Sequence, residues 1–151
     1  MSASTWRGQV LVGCLVTLLA IAGCARGEGG VPGQLSQAAG DGGSAVISAA
    51  YGLQLWSAGD ATTNQTTVLL GDAAEQVIDA YTSVAELDVD DRRINDSLRN
   101  MLDRLTAAID MITRSRQVVG GGPIRESDGL IVGLRALGDE FSTLSQTPVP
   151  P

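Results

Sequence analysis

The sequence predicts an all-α fold, an antiparallel helical bundle of three to four helices. Three observations predict it. Between residues 44 and 146 the apolar residues recur at steps of three and four, the period that lines one face of a helix. Glycine- or aspartate-marked breaks fall near 59–60, 88–91 and 120–123, and connections this short join antiparallel neighbours. The β-prone runs Val118-Val119 and Leu130-Ile131-Val132 stay in helical phase.

Each element follows from its own signals. Ser44 is placed to cap a first helix over 45–57, with Val46, Ala49 or Ala50, Leu53 and Trp56 on one face. Gly59-Asp60 reads as a break with a fresh cap, and a second helix runs to about Leu87 on the stripe Leu70, Ala74, Val77, Tyr81 and Val84. The phase Leu53, Trp56, Asp60, Thr63, Thr67, Leu70 continues across that break, so one long helix is the alternative. Thr62-Thr63-Asn64 is poor helix interior and favours two. Asp90 or Asp91 starts a third helix to about Val118, carrying Ile94, Leu98, Met101, Leu105, Ala108 and Ile112, widened by Leu102 and Ile109. Gly120-Gly121-Gly122-Pro123 stops it. Ser127 or Asp128 caps a fourth helix to about Ser145, with Leu130, Leu134, Leu137, Phe141 and Leu144 facing inward. Gly71, Gly133 and Gly138 sit inside helices, where each costs about 1 kcal/mol relative to Ala and can permit close approach.

The flanks read differently. Residues 25–43 hold seven Gly and one Pro, a composition with little to bury, and read as a flexible Gly-rich tether spanning roughly 25 Å. Residues 147–151, Thr-Pro-Val-Pro-Pro, read as an extended tail. At the other end, residues 1–9 are polar and include Arg7, and Val10 to Ala22 is an apolar run of 13. That run is short of the roughly 20 residues a membrane span needs and matches the apolar stretch of a signal peptide. It ends in Ile21-Ala22-Gly23-Cys24: an aliphatic residue, two small residues and a cysteine.

That tetrapeptide resembles the lipobox of bacterial lipoproteins, with Ile21 where Leu is more usual. The resemblance implies a diacylglycerol on the Cys24 thiol, cleavage between Gly23 and Cys24, and acylation of the new amine. Two or three acyl chains, at roughly 0.8 kcal/mol per buried CH₂, would anchor the chain stably at the extracytoplasmic face of the cell membrane. The alternatives are a plain secretory signal cut nearby and an uncleaved anchor. The expected organisation is a signal peptide over 1–23, lipidated Cys24 and tether over 24–43, a bundle over 44–146 and a tail over 147–151.

Composition bounds the partners. The chain has 151 residues and a net charge of −7. Without residues 1–23, 17 acids and nine Arg remain, so the side chains sum to 9 − 17 = −8. That balance opposes nucleic acid and electrostatic docking on anionic lipid. Every basic residue is Arg; with abundant Ala, Gly, Val, Asp and Thr, this resembles the codon bias of a GC-rich, for instance actinobacterial, genome. There is no His and there are two Cys. With Cys14 in the signal and Cys24 lipidated, no disulfide, metal or cofactor site is expected.

The remaining constellations favour structure over chemistry. Glu86-Leu87-Asp88-Val89-Asp90-Asp91 is rich in carboxylates, but the sixth position counted from Asp88 is Arg93, where a calcium loop needs Gly. It reads as an acidic, capped helix start. Asp72, Glu75, Asp79, Asp96, Asp103 and Asp110 lie off the apolar stripes, and Asp88–Arg92, Asp96–Arg99 and Asp110–Arg114 have helical pair spacing. Gly120–Gly122 lacks the Lys-Ser/Thr of a phosphate loop. The expected function is therefore a non-enzymatic envelope lipoprotein that presents a helical module to an unidentified envelope protein. The alternative is a carrier or receptor for a small apolar ligand, in a cavity lined by Trp56, Tyr81, Leu98, Leu105 and Phe141. A carboxylate-based hydrolase would need two carboxylates converging in a cleft.

Overall fold

The computed structural model describes residues 30–146. Four helices follow one another: α1 over Gly30–Ala58, α2 over Thr63–Ala85, α3 over Arg92–Val119 and α4 over Ser127–Gln146, the last entered through a single 3₁₀ turn at Ile124–Glu126. They form an antiparallel up-down-up-down bundle. Leu69 of α2 lies over Gly52 of α1, and Met111 of α3 over Gly133 of α4. Arg104 of α3 pairs with Glu140 of α4. Ser36 at the start of α1 donates a hydrogen bond of 2.8 Å to the carbonyl of Ser145 at the end of α4. α1 and α3 are thus diagonal partners, and they meet through the centre, where Leu105 lies over Gly42.

The predicted stripes supply the core. Leu53, Leu70, Val77, Leu105, Ile112, Leu134 and Phe141 are fully buried. Each break has a local cause. Gly59, at φ 83°, ends α1 in a conformation that costs a side-chain-bearing residue dearly. Asp60 is not the cap of α2. Thr62 is, with its hydroxyl accepting from the Gln65 backbone and the Gln65 side chain returning to the Thr62 N–H at 3.0 Å. Asp91 caps α3, its carboxylate accepting from Arg93 N at 2.8 Å and Ile94 N at 3.3 Å.

One expectation is overturned. The tether expected over 24–43 is helical from Gly30 onward, so α1 begins far upstream of Ser44, which is an exposed residue inside it. The stripe Val46, Ala49, Leu53 continues backwards through Ala45, Gly42, Ala38 or Ala39 and Leu35, all buried. Glycine there is not slack. A Cβ on Gly42 would lie 2.9 Å from Leu105 Cδ2 and 3.3 Å from Phe141 Cζ, and one on Gly43 would lie 3.1 Å from Phe141 Cβ. The small residues let α1 seat closely on α3 and α4, and burial holds a sequence of low helix propensity in helical form. Residues 24–29, the signal segment 1–23 and the tail 147–151 lie outside the described residues.

Gly42→Ala is expected to lower unfolding stability by about 1–3 kcal/mol through overpacking against Leu105. Gly40→Ala, in the same helix but exposed and with open space around it, is expected to raise stability by about 0.5–1 kcal/mol. Urea titration of both variants checks this; a flexible tether would leave both unchanged.

Candidate functional site

The five residues expected to line a cavity are carried by all four helices but do not converge. Leu105 and Phe141 are fully buried and meet over Gly42 in the middle of the bundle. Tyr81 and Leu98 are half-buried near the α2–α3 connection. Trp56 is half-buried at the end of α1 and donates its indole N–H to Thr63 Oγ1 at 3.3 Å. Thr63 opens α2 and Tyr81 lies near its end, about 27 Å further along at 1.5 Å per residue. Trp56 therefore belongs to one end of the bundle and Tyr81 to the other, and no single small ligand touches both. Tyr51, read as an edge residue, is 58% exposed.

The interior polar groups are satisfied locally. The Thr66 hydroxyl donates to Thr62 O at 3.1 Å, Ser115 to Met111 O at 2.9 Å and Ser127 to Ile124 O at 2.7 Å. Among the described residues no buried side-chain nitrogen or oxygen lacks a partner. These hydroxyls are committed to their own helix backbones, the usual fate of Ser and Thr within helices, and are not aimed into a cavity.

The acidic segment behaves as a helix start. Glu86, Asp88, Asp90 and Asp91 are exposed, and among the described residues no group of three or more acidic, His or Cys side chains is arranged to hold a metal ion. Asp88 and Arg92, Asp96 and Arg99, and Asp110 and Arg114 are all exposed and make no ion pair with one another, as solvated faces do. The ion pair among the described residues joins α3 to α4, Arg104 to Glu140, and Arg135 of α4 donates to Gln54 of α1. Solvated Asp and Arg side chains one turn apart gain little by closing, whereas partners on adjacent helices are brought together by the packing itself. Gly120–Gly122 forms the α3–α4 turn, with Gly121 at φ 122° and Gly122 so close to Val118 that a Cβ would lie 2.9 Å from its Cα.

What the sequence reading missed is the α1 surface. The exposed residues of α1 include Gln37, Ser44, Ile47, Ser48 and Tyr51, with Asp41 the one charged residue of the whole helix. The signal was present as the unbroken three- and four-residue spacing from Leu35 to Leu53, masked by its Gly and Ala content. Cys24 and the preceding Ile21, Ala22 and Gly23 lie outside the described residues. No described helix is long and apolar enough to cross a membrane.

The chain matches no protein-family model, and neither curated proteins nor solved structures give a significant match.

Phe141→Ala is expected to lower unfolding stability by about 3–5 kcal/mol, the range for emptying a buried aromatic site. Tyr51→Ala should stay within about 0.5 kcal/mol of the unaltered protein. Denaturant unfolding of the two variants provides the comparison.

Proposed function

We propose that this chain is a lipid-anchored, extracytoplasmic protein whose helical bundle serves as a non-enzymatic interaction module of the cell envelope. The observation that carries the reading is Ile21-Ala22-Gly23-Cys24 at the end of a 13-residue apolar run that begins at Val10. The chemistry needs each part. A thiol accepts the diacylglycerol as a thioether, small residues admit an extended backbone to a narrow protease cleft, and the run before them is long enough for export but short for a span. The acidic bundle, with its polar interior groups bonded to backbone carbonyls, suits a partner-binding role. A small-ligand carrier has less in its favour, since Leu105 and Phe141 occupy the centre tightly against Gly42.

The test is intact-mass measurement of the protein recovered from bacterial membranes. The expected chain starts at Cys24 and carries the added mass of two or three acyl chains. Cys24→Ala is expected to abolish that mass and release the protein from the membrane fraction. Recovery of a chain starting at Met1, or of one retained at the membrane after the substitution with no change in modification, would refute the anchor.

A further inference from the structure

At the end of the bundle where α1 begins, the helices do not stop level. Met111 lies over Gly133 and Arg104 pairs with Glu140. Both contacts set one antiparallel register, in which Gln146, the last residue of α4, stands level with Leu98. α3 continues past that level to Arg92, six residues or about 9 Å. The hydrogen bond from Ser36 to the Ser145 carbonyl sets the level on α1, which continues to Gly30, again about 9 Å. Coverage changes at the same height. Ile94, Met101 and Leu105 share the inward face of α3. Met101 and Leu105 are 4% and 0% exposed, whereas Ile94, past the end of α4, is half-buried. On α1, Leu35 is buried and Val31, one turn nearer the start, is half-buried. Pro32 lies one turn before Ser36, on the side toward α4, and is half-buried as well.

The residues that follow α4 have the chemistry to cover this apolar step. They are Thr147-Pro148-Val149-Pro150-Pro151. Pro148 cannot extend α4, because it lacks an N–H and clashes with the preceding turn, and it turns Thr147 away from the α region as well. The run favours polyproline II, at about 3.1 Å per residue. Pro148 and Val149 then fall about 6 and 9 Å past Gln146, within the height that α1 and α3 add. We propose that residues 147–151 follow the course of α4 as an extended strap and seat Pro148 and Val149 against Val31, Pro32 and Ile94. The preset φ of proline lowers the entropy lost on docking. The residues before α1 leave from the same end but are Ala-Arg-Gly-Glu-Gly over 25–29, two charges and a single methyl side chain, with little to bury. The strap ties the first turns of α1, low in helix propensity, to the end of α4.

The test is hydrogen exchange read by mass spectrometry on the full chain as the host cell processes it, so the outcome does not depend on the anchor. Val149→Asp is expected to speed exchange of the backbone amides over 34–39 and 95–99 about tenfold, because a carboxylate cannot stay against Ile94 and the strap is released. Amides at the opposite end of the bundle, over 115–119, keep their rates. Ile94→Ala is expected to speed exchange in the same two segments. Adding Val149→Asp to Ile94→Ala should then change them by less than about twofold, since the two side chains share one contact. Unaltered exchange in Val149→Asp overturns the strap. So does an equal effect of Val149→Asp with and without Ile94→Ala, which places Val149 elsewhere. An effect that fades on dilution assigns the contact to a second copy of the chain and overturns the intramolecular strap too.

Discussion

The close seating of α1 against α3 and α4 at Gly42 and Gly43 is the contact on which the rest of the bundle depends. Leu105 and Phe141 reach the centre from diagonal and adjacent helices and occupy the space that side chains on α1 would otherwise fill. Larger residues on α1 would push it outward and unpack both. The arrangement leaves α1 weak on its own. It carries Gly33, Gly40, Gly42, Gly43 and Gly52 within its span, each unfavourable by about 0.5–1 kcal/mol relative to Ala. Its helicity is sustained by burying Leu35, Ala38, Ala39, Ala45, Val46, Ala49, Ala50 and Leu53. Secondary and tertiary structure in α1 therefore form together, and its first half loses helical support if α4 moves away.

This coupling explains which parts of the fold were legible in the sequence. The stripes of α2, α3 and α4 are written in Leu, Ile, Val, Met and Phe, whose burial is large enough to make the period visible. Residues 30–43 obey the same period in Ala and Gly. Composition pointed to a solvated coil, because an isolated segment so poor in apolar area cannot offset its ordering entropy. It is ordered by what the other helices bring to it, which local composition does not reveal. The Thr62–Gln65 capping box was legible as the pattern Thr-x-x-Gln before an apolar run, and was obscured by the more obvious Gly59-Asp60 break.

The candidate cavity shows a second kind of limit. Stripe membership tells which face of a helix a residue occupies, and all five proposed lining residues do lie on inward stripes. It says nothing about height along the bundle. Trp56 bonds to the first residue of α2 while Tyr81 lies four residues before its last. Height becomes readable only when the turns are located, since they fix which residues of antiparallel neighbours stand level. The ion pair between helices illustrates a related point. Spacing along one helix identifies which charges can meet, and packing between helices decides which do, as Arg104–Glu140 illustrates.

The shift of the helix start also changes what a lipid anchor would do for this chain. A coil of the 19 residues from Ala25 to Gly43 would let the domain sample a hemisphere above the membrane, its faces equally available to partners. The six peptide units from Cys24 to Gly30, at most about 20 Å, are shorter than α1 itself, which runs about 43 Å at 1.5 Å per residue. Confinement on that scale would raise the frequency with which the bundle meets any surface that holds Cys24.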